Sequence, residues 1–220
     1  MRIRQPIVVV LGHVDSGKTS ILDKIRGTGV QGREAGGITQ HIGASFLPTE
    51  TIKKLTGPLY EKLSKGEHTI PGLLVIDTPG HEIFTNLRAR GGSAADIAIL
   101  VVDANRGFQP QTTESLKILE SRKVPFVVAL NKTDMVSGWK KSDTPFISMA
   151  IKEQDPFVQT SIDEKIYNVV AALSVLGYKS EAFYRVQDFK KEISIVPVSA
   201  RTGVGIPELL AVLVGLAQQF

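Results

Sequence analysis

Eight residues near the amino terminus, Gly12-His13-Val14-Asp15-Ser16-Gly17-Lys18-Thr19, limit what this chain can fold into more than any other feature. They match G-x-x-x-x-G-K-[ST], a spacing that carries meaning only between a strand and a helix. Its glycines let the backbone wrap so that successive amides face an anion, and a helix start adds unpaired N–H groups and partial positive charge. Residues 7–11 form an apolar run of strand length just before it, so a plain glycine turn is the weaker reading. Lys18 is expected to bridge β- and γ-phosphates, and Thr19 to place its hydroxyl on Mg²⁺. Asp15, Ser16, Gly17 and Ser20 complete the expected cradle. Asp15 brings a carboxylate close to a triphosphate, which is unfavourable unless a cation offsets it.

The remaining apolar runs give the loop its frame. Residues 73–76, 97–102, 126–130 and 193–198 are buried-strand candidates like 7–11, with 42–47 as a sixth. Alternation with helical spacings predicts an α/β fold: a mostly parallel six-stranded sheet with helices on both faces. Helices are expected from Gly17, near Glu50, near Glu82, near Thr112, around Asp155 and at Pro207. Residues 48–72 read as an insertion with one amphipathic helix of Ile52, Leu55, Leu59 and Leu63. Residues 135–192 read as another, with Ile162, Ile166, Val169, Val170 and Leu173 at helical spacing; they serve either as core cover or as a partner platform. No repeat or linker divides residues 1–220, which read as a single domain.

Composition narrows the class. With no cysteine, a disulfide scaffold and thiolate metal sites are excluded. A net charge of +4 suits an anionic partner such as ribosomal RNA, and equally a mildly basic enzyme. No leader is visible, and the apolar stretch 209–217 is about half of a membrane span, so a cytoplasmic protein with no membrane partner is expected.

Three further motifs stand at strand ends, where open α/β sheets bind ligands. Asp77-Thr78-Pro79-Gly80 follows 73–76; Asp77 can hold Mg²⁺ through water, and Gly80 can bring its amide against a γ-phosphate. His81 comes next, the candidate for orienting the attacking water. Between the first helix and that strand, Gly36-Gly37 precede Thr39, which is expected to close onto Mg²⁺ and the γ-phosphate, as a nucleotide switch would. Asn131-Lys132-Thr133-Asp134 follows 126–130. A fixed Asp134 carboxylate can accept from guanine N1–H and its exocyclic amine, a donor pair that adenine lacks. Asn131 would brace the loops or touch the purine edge, and the Lys132 stem would cover the ring. Ser199-Ala200-Arg201 can offer a backbone N–H to guanine O6.

In this order the motifs resemble the translation-factor class of P-loop GTPases, with a Ras-like fold. Gly-His-Val-Asp-x-Gly-Lys-Thr and Asp-Thr-Pro-Gly-His are shared with factors that work on the ribosome. The stretch Gly36-Gly37-Ile38-Thr39-Gln40-His41-Ile42-Gly43 is similar to bacterial initiation factor 2 and its archaeal and eukaryotic counterpart, initiation factor 5B. Phe84-Thr85-Asn86-Leu87-Arg88-Ala89-Arg90-Gly91, Phe108-Gln109-Pro110-Gln111-Thr112 and Val136-Ser137-Gly138-Trp139 resemble the 5B branch. The resemblance implies a GTP/GDP switch with Lys18, Thr39, Gly80 and His81 in the catalytic set, hydrolysing slowly until a ribosome stimulates it. It implies a monovalent cation, K⁺ or Na⁺, at Asp15 and the Gly37 carbonyl. It implies as partners the large-subunit GTPase centre and the acidic stalk tails, with initiator tRNA reached only through further domains from which this chain is cut. Ser16 departs from the histidine that many translational GTPases carry there. A GTP-binding interaction module without turnover is the alternative, and Thr39, Gly80 and His81 argue against it.

Overall fold

The structure is a computed structural model that describes residues 5–31, 44–63, 70–76 and 95–218. Seven strands form one sheet among these residues: β1 (Ile7–Gly12), β2 (Ala44–Pro48), β3 (Gly72–Ile76), β4 (Ile97–Asp103), β5 (Phe126–Asn131), β6 (Ser180–Ala182) and β7 (Ile193–Pro197). The order is β2-β3-β1-β4-β5-β7-β6. Only β2 runs antiparallel to its neighbour, pairing Phe46 with Leu74. Along β4 every residue is buried, as a central strand covered on both faces requires. The parallel strands share a direction, so the carboxyl ends of β1, β4, β5 and β7 meet along one edge.

The helices are α1 (Lys18–Gln31), α2 (Thr49–Thr56), α3 (Pro58–Leu63), α4 (Pro110–Arg122), α5 (Ile147–Lys152), α6 (Pro156–Val175) and α7 (Ile206–Ala217). Period-two alternation splits the sheet's side chains between two cores. Val8 and Val10 pack with Ile21, Ile25, Ile52 and Leu209 beneath α1, α2 and α7. Val9 and Leu11 pack with Leu116, Leu119, Ile162 and Ile166 beneath α4 and α6. Each such side chain contributes roughly 1.5–3 kcal/mol on burial. These cores fix the strands whose ends carry the loops.

Three expectations change. The sheet has seven strands, because β6 is three residues long and too short to show an alternation. The single helix expected in 48–72 is two, since Gly57 turns left-handed (φ 53°) and Pro58 cannot continue α2. That break re-phases the face, so Tyr60 is buried while Leu59 is half-buried. Helix α5 was not foreseen; six residues show too little period. Within 135–192, α6 buries Val158, Ile162, Ile166, Val169 and Leu173 against the sheet, which makes that helix core cover. The helix expected near Glu82 lies outside the described residues.

Candidate functional site

The loop from Gly12 to Thr19 joins β1 to α1, as its sequence requires. Gly12 (φ 143°) has no room for a side chain, because a Cβ there would run into the Val101 carbonyl of β4. Gly17 (φ 92°) is closed in the same way by the Asn131 amide nitrogen. Lys18 Nζ donates to the carbonyls of Gly12 (2.9 Å) and His13 (2.7 Å), which holds the ammonium against its own loop. Burial pulls this ammonium below the ordinary lysine value, and Asp15 opposes the shift. Thr19 and Ser20, opening α1, are exposed. Ser16 is buried instead, with its Oγ 3.2 Å from where a Gly12 Cβ would stand. That hydroxyl packs inward and has no hydrogen-bond partner among the described residues. Asp15 is exposed and left-handed (φ 63°).

Asn131, ending β5, ties two loops together. Its Nδ2 donates to the Ser16 carbonyl (2.9 Å), and its Oδ1 accepts from the Ala200 amide (3.0 Å). Only 2 % of it is exposed, so both bonds are made away from water, where a lost partner costs about 1–3 kcal/mol. Thr133 fastens the same loops by donating its amide (3.2 Å) and hydroxyl (3.0 Å) to the Val198 carbonyl. Ser199 is fully buried, and its Oγ accepts from the Thr202 amide (3.1 Å).

Asp134 is brought to this edge with its carboxylate 5 % exposed. Arg201 Nη2 lies 2.6 Å from Asp134 Oδ2, an ion pair in distance, yet Oδ2 receives no hydrogen bond because the donor is out of line. The distance shows attraction and the angle shows unused acceptor capacity; both hold, and the second matters for a ligand. Arg201 itself is 74 % exposed, so its end of the pair stays in water while the carboxylate end does not. A buried acceptor, a braced phosphate loop and a helix start therefore converge at one place. Their donor and acceptor set fits a purine nucleotide that offers two N–H groups at one end and phosphates at the other.

Thr39, Gly37, Asp77, Gly80 and His81 lie outside the described residues. Among the described residues no group of three or more His, Cys, Asp or Glu could hold a metal; of the expected Mg²⁺ ligands, Thr19 alone lies among them. Two residues that carry this site had been given no role from the sequence. Asp103, at the end of β4, meets Lys132 Nζ at 2.7 Å. It stands at a strand end like the other site residues, and that position was its signal. Gln111 Oε1 accepts from the Val14 amide (3.0 Å) across 97 residues, a contact with no sequence signature.

The chain matches the family model described as the elongation factor Tu GTP binding domain over residues 3–219. It is 56 % identical over 220 residues to the probable translation initiation factor IF-2 of Thermococcus onnurineus, covering all of this chain and 36 % of that protein. Identity to the corresponding protein of Methanopyrus kandleri is 59 % over 219 residues, covering 99 % and 36 %. The chain thus spans about a third of the length of these relatives. Among solved structures, GDP-bound aIF5B from Aeropyrum pernix superposes with a TM-score of 0.92 at 56 % identity, over all of this chain and 36 % of that one. The bacterial selenocysteine-specific elongation factor EF-Sec shares the fold alone, at 24 % identity and a TM-score of 0.57 over 99 % of this chain and 29 % of that one.

Proposed function

Since the chain belongs to the family of elongation factor Tu GTP-binding domains, which are GTPases, we propose that it is the nucleotide switch of an initiation factor that promotes joining of ribosomal subunits. The observation that carries the guanine-nucleotide part is the buried Asp134 carboxylate, ion-paired but short of a hydrogen bond, beside a phosphate loop braced by Asn131, while the initiation part rests on likeness to relatives named translation initiation factor IF-2. Guanine N1–H and the exocyclic amine supply what that carboxylate lacks. Since the Ala200 amide already serves Asn131, a donor to guanine O6 is either that amide shared or its neighbour at Arg201.

GTP and water give GDP and phosphate by in-line attack on the γ-phosphorus. Lys18 and the loop amides take up negative charge that spreads over the phosphoryl oxygens. Thr19, Thr39 and, through water, Asp77 would hold Mg²⁺, which would supply positive charge to offset the negative charge building on the phosphates. His81 and Gly80 orient the water and sense the γ-phosphate. Asp15 and the Gly37 carbonyl would hold K⁺ or Na⁺, which relieves the charge that Asp15 adds. Contact with initiator tRNA is assigned to further domains rather than to this chain, which spans 36 % of the relative's length. The working place is the cytoplasm, on ribosomes; no helix among the described residues is long and apolar enough to cross a membrane.

Calorimetry with GTP, GDP and ATP in Mg²⁺ and potassium tests the base, and turnover with and without ribosomes tests the switch. Guanine nucleotides alone should bind, and ribosomes should accelerate phosphate release. Comparable ATP binding removes the base reading. Guanine binding without stimulated turnover favours an interaction module that holds GTP as a fixed ligand.

The large-subunit GTPase centre and the acidic stalk tails are the proposed partners. A cavity of about 470 Å³ includes Leu119, Phe126, Tyr178 and Leu216 together with the exposed Lys123 and Lys190. Lys123, Lys190 and Lys191 stand against two carboxylates, Glu120 and Glu192, so this apolar floor keeps a slight positive balance that suits an acidic tail with apolar tips. A stalk-tail peptide is expected to bind there and to weaken as salt rises; no binding at millimolar peptide would exclude this surface.

A further inference from the structure

We propose that Asp103 is a positioning residue for the guanine nucleotide: it fastens the far end of Lys132 so that the lysine stem lies ready across the phosphate loop. The inference rests on the reading of Lys132 as the cover over the guanine ring.

Lys132 is a long cation on a flexible stem, and nothing in its own chemistry makes it lie in one place. Its backbone starts the task, being left-handed (φ 67°), a region that non-glycine residues rarely occupy. From there the stem turns back over the loop, with Cε 4.0 Å from where a Cβ on Gly17 would stand. The ammonium then meets two acceptors, the Asp15 carbonyl (2.5 Å) and Asp103 Oδ2 (2.7 Å). Asp15 belongs to the loop being covered and is itself exposed, so it offers no independent anchor.

Asp103 does. Only 6 % of it is exposed, and its Oδ1 is held by the amides of Asn105 (2.8 Å) and Arg106 (3.3 Å). The Gly107 amide donates to its carbonyl (2.8 Å), and the Ala104 amide donates to the Asn131 carbonyl (2.8 Å). The carboxylate is therefore fixed by the turn that ends β4, and that turn is tied to the strand end from which Lys132 departs. Burial alone would raise this carboxyl, but the Lys132 ammonium and the two amides outweigh it and hold the group below the ordinary carboxylate range. It stays an anion at neutral pH, so the charge-assisted bond to Lys132 persists. A lysine stem ordered before the ligand arrives need not lose that freedom on binding, and it resists opening once the ring is beneath it.

Release of a fluorescent GDP from the 220-residue chain, followed by stopped flow, tests this in Asp103→Asn, Lys132→Ala and the double variant. The asparagine keeps an oxygen for the two amides while removing the charge. Asp103→Asn is expected to release GDP roughly tenfold faster, as loss of one charge-assisted bond implies. Lys132→Ala should do at least as much, and the double variant no more than Lys132→Ala alone. Wild-type release from Asp103→Asn beside fast release from Lys132→Ala overturns the proposal and leaves the cover intact. Effects that multiply in the double variant overturn it too, since Asp103 would then act through the fold. Wild-type release from Lys132→Ala removes the cover, and the proposal with it. If Asp103→Asn unfolds at assay temperature, Asp103→Ser decides, because its hydroxyl can still accept from the turn amides while the charge that meets Lys132 is gone; tenfold faster release that is not increased further by Lys132→Ala supports the anchor, and an unchanged rate overturns it.

Discussion

Asp134→Asn is expected to weaken GDP and GTP binding by about 10³-fold or more and to make xanthine nucleotides the better ligands. The wild-type carboxylate is an acceptor only, matched to two adjacent donors on guanine. Asparagine presents one acceptor and one donor, so the guanine amine meets an N–H and one bond becomes a clash of donors. Xanthine replaces that amine with a carbonyl and restores the match. The Arg201 ion pair does not stand in the way, because a guanidinium 74 % exposed is easily displaced by two aligned bonds to a desolvated carboxylate. For the same reason Arg201→Ala should leave the base preference unchanged. Calorimetry with GDP and xanthosine diphosphate on both proteins measures it. A variant that keeps its GDP affinity would show that Asp134 does not read the base.

What the sequence showed of this site was the part written in short spacings. Gly12, Gly17 and Lys18 are legible because a phosphate loop needs closeness of backbone and a cation within eight residues, and the structure gives both glycines no space for a side chain. The five long apolar strands were legible because burial on both faces leaves a continuous run. Contacts across the chain were not. Asn131 was read as either a brace or a purine contact, and only its bonds to Ser16 and Ala200, 115 and 69 residues away, show it bracing. Asp103 sits at a strand end like the named residues, yet a carboxylate beside a phosphate loop has meaning only when Lys132 is seen against it. β6 and α5 escaped because three and six residues carry too little pattern, and their places are set by neighbours rather than by propensity. Glu208 was invisible for a different reason: a charged residue in the first turn of a helix is ordinarily solvated.

That glutamate gives the chain a pH dependence that can be measured. Glu208 lies in the first turn of α7 and is fully buried, and its Oε1 accepts from the amide and the hydroxyl of Ser148 in α5, each at 3.3 Å. Oε2 has no partner. Beside it the Gly205 amide donates to the Pro145 carbonyl (2.8 Å), so α5 and the segment ahead of it are joined to α7 and the turn between the Ser199 loop and α7. Burial pushes this carboxyl from its ordinary 4.5 up to about 7, against the pull of the Ser148 and backbone hydrogen bonds. The folded chain therefore keeps a proton that the unfolded chain gives up, and stability falls as pH rises from about 4.5 to about 7. Below that window both states are protonated and above it both are ionised, so the loss begins near the lower value and is complete past the upper one. Its size is on the order of 3 kcal/mol. Glu208→Gln keeps the shape of the neutral acid and cannot ionise, so it should abolish this share of the slope. Urea denaturation of both proteins between pH 5 and pH 8 reads the difference directly, since the other titrating groups are common to the two. The variant should gain on the wild type as the pH rises toward about 7 and level off past it, and parallel curves would mean that Glu208 is ionised in the folded chain across the whole range. A carboxylate charged at pH 8 in that setting strains the seam behind the Ser199–Arg201 loop, so nucleotide release from the wild type should quicken there while release from Glu208→Gln does not.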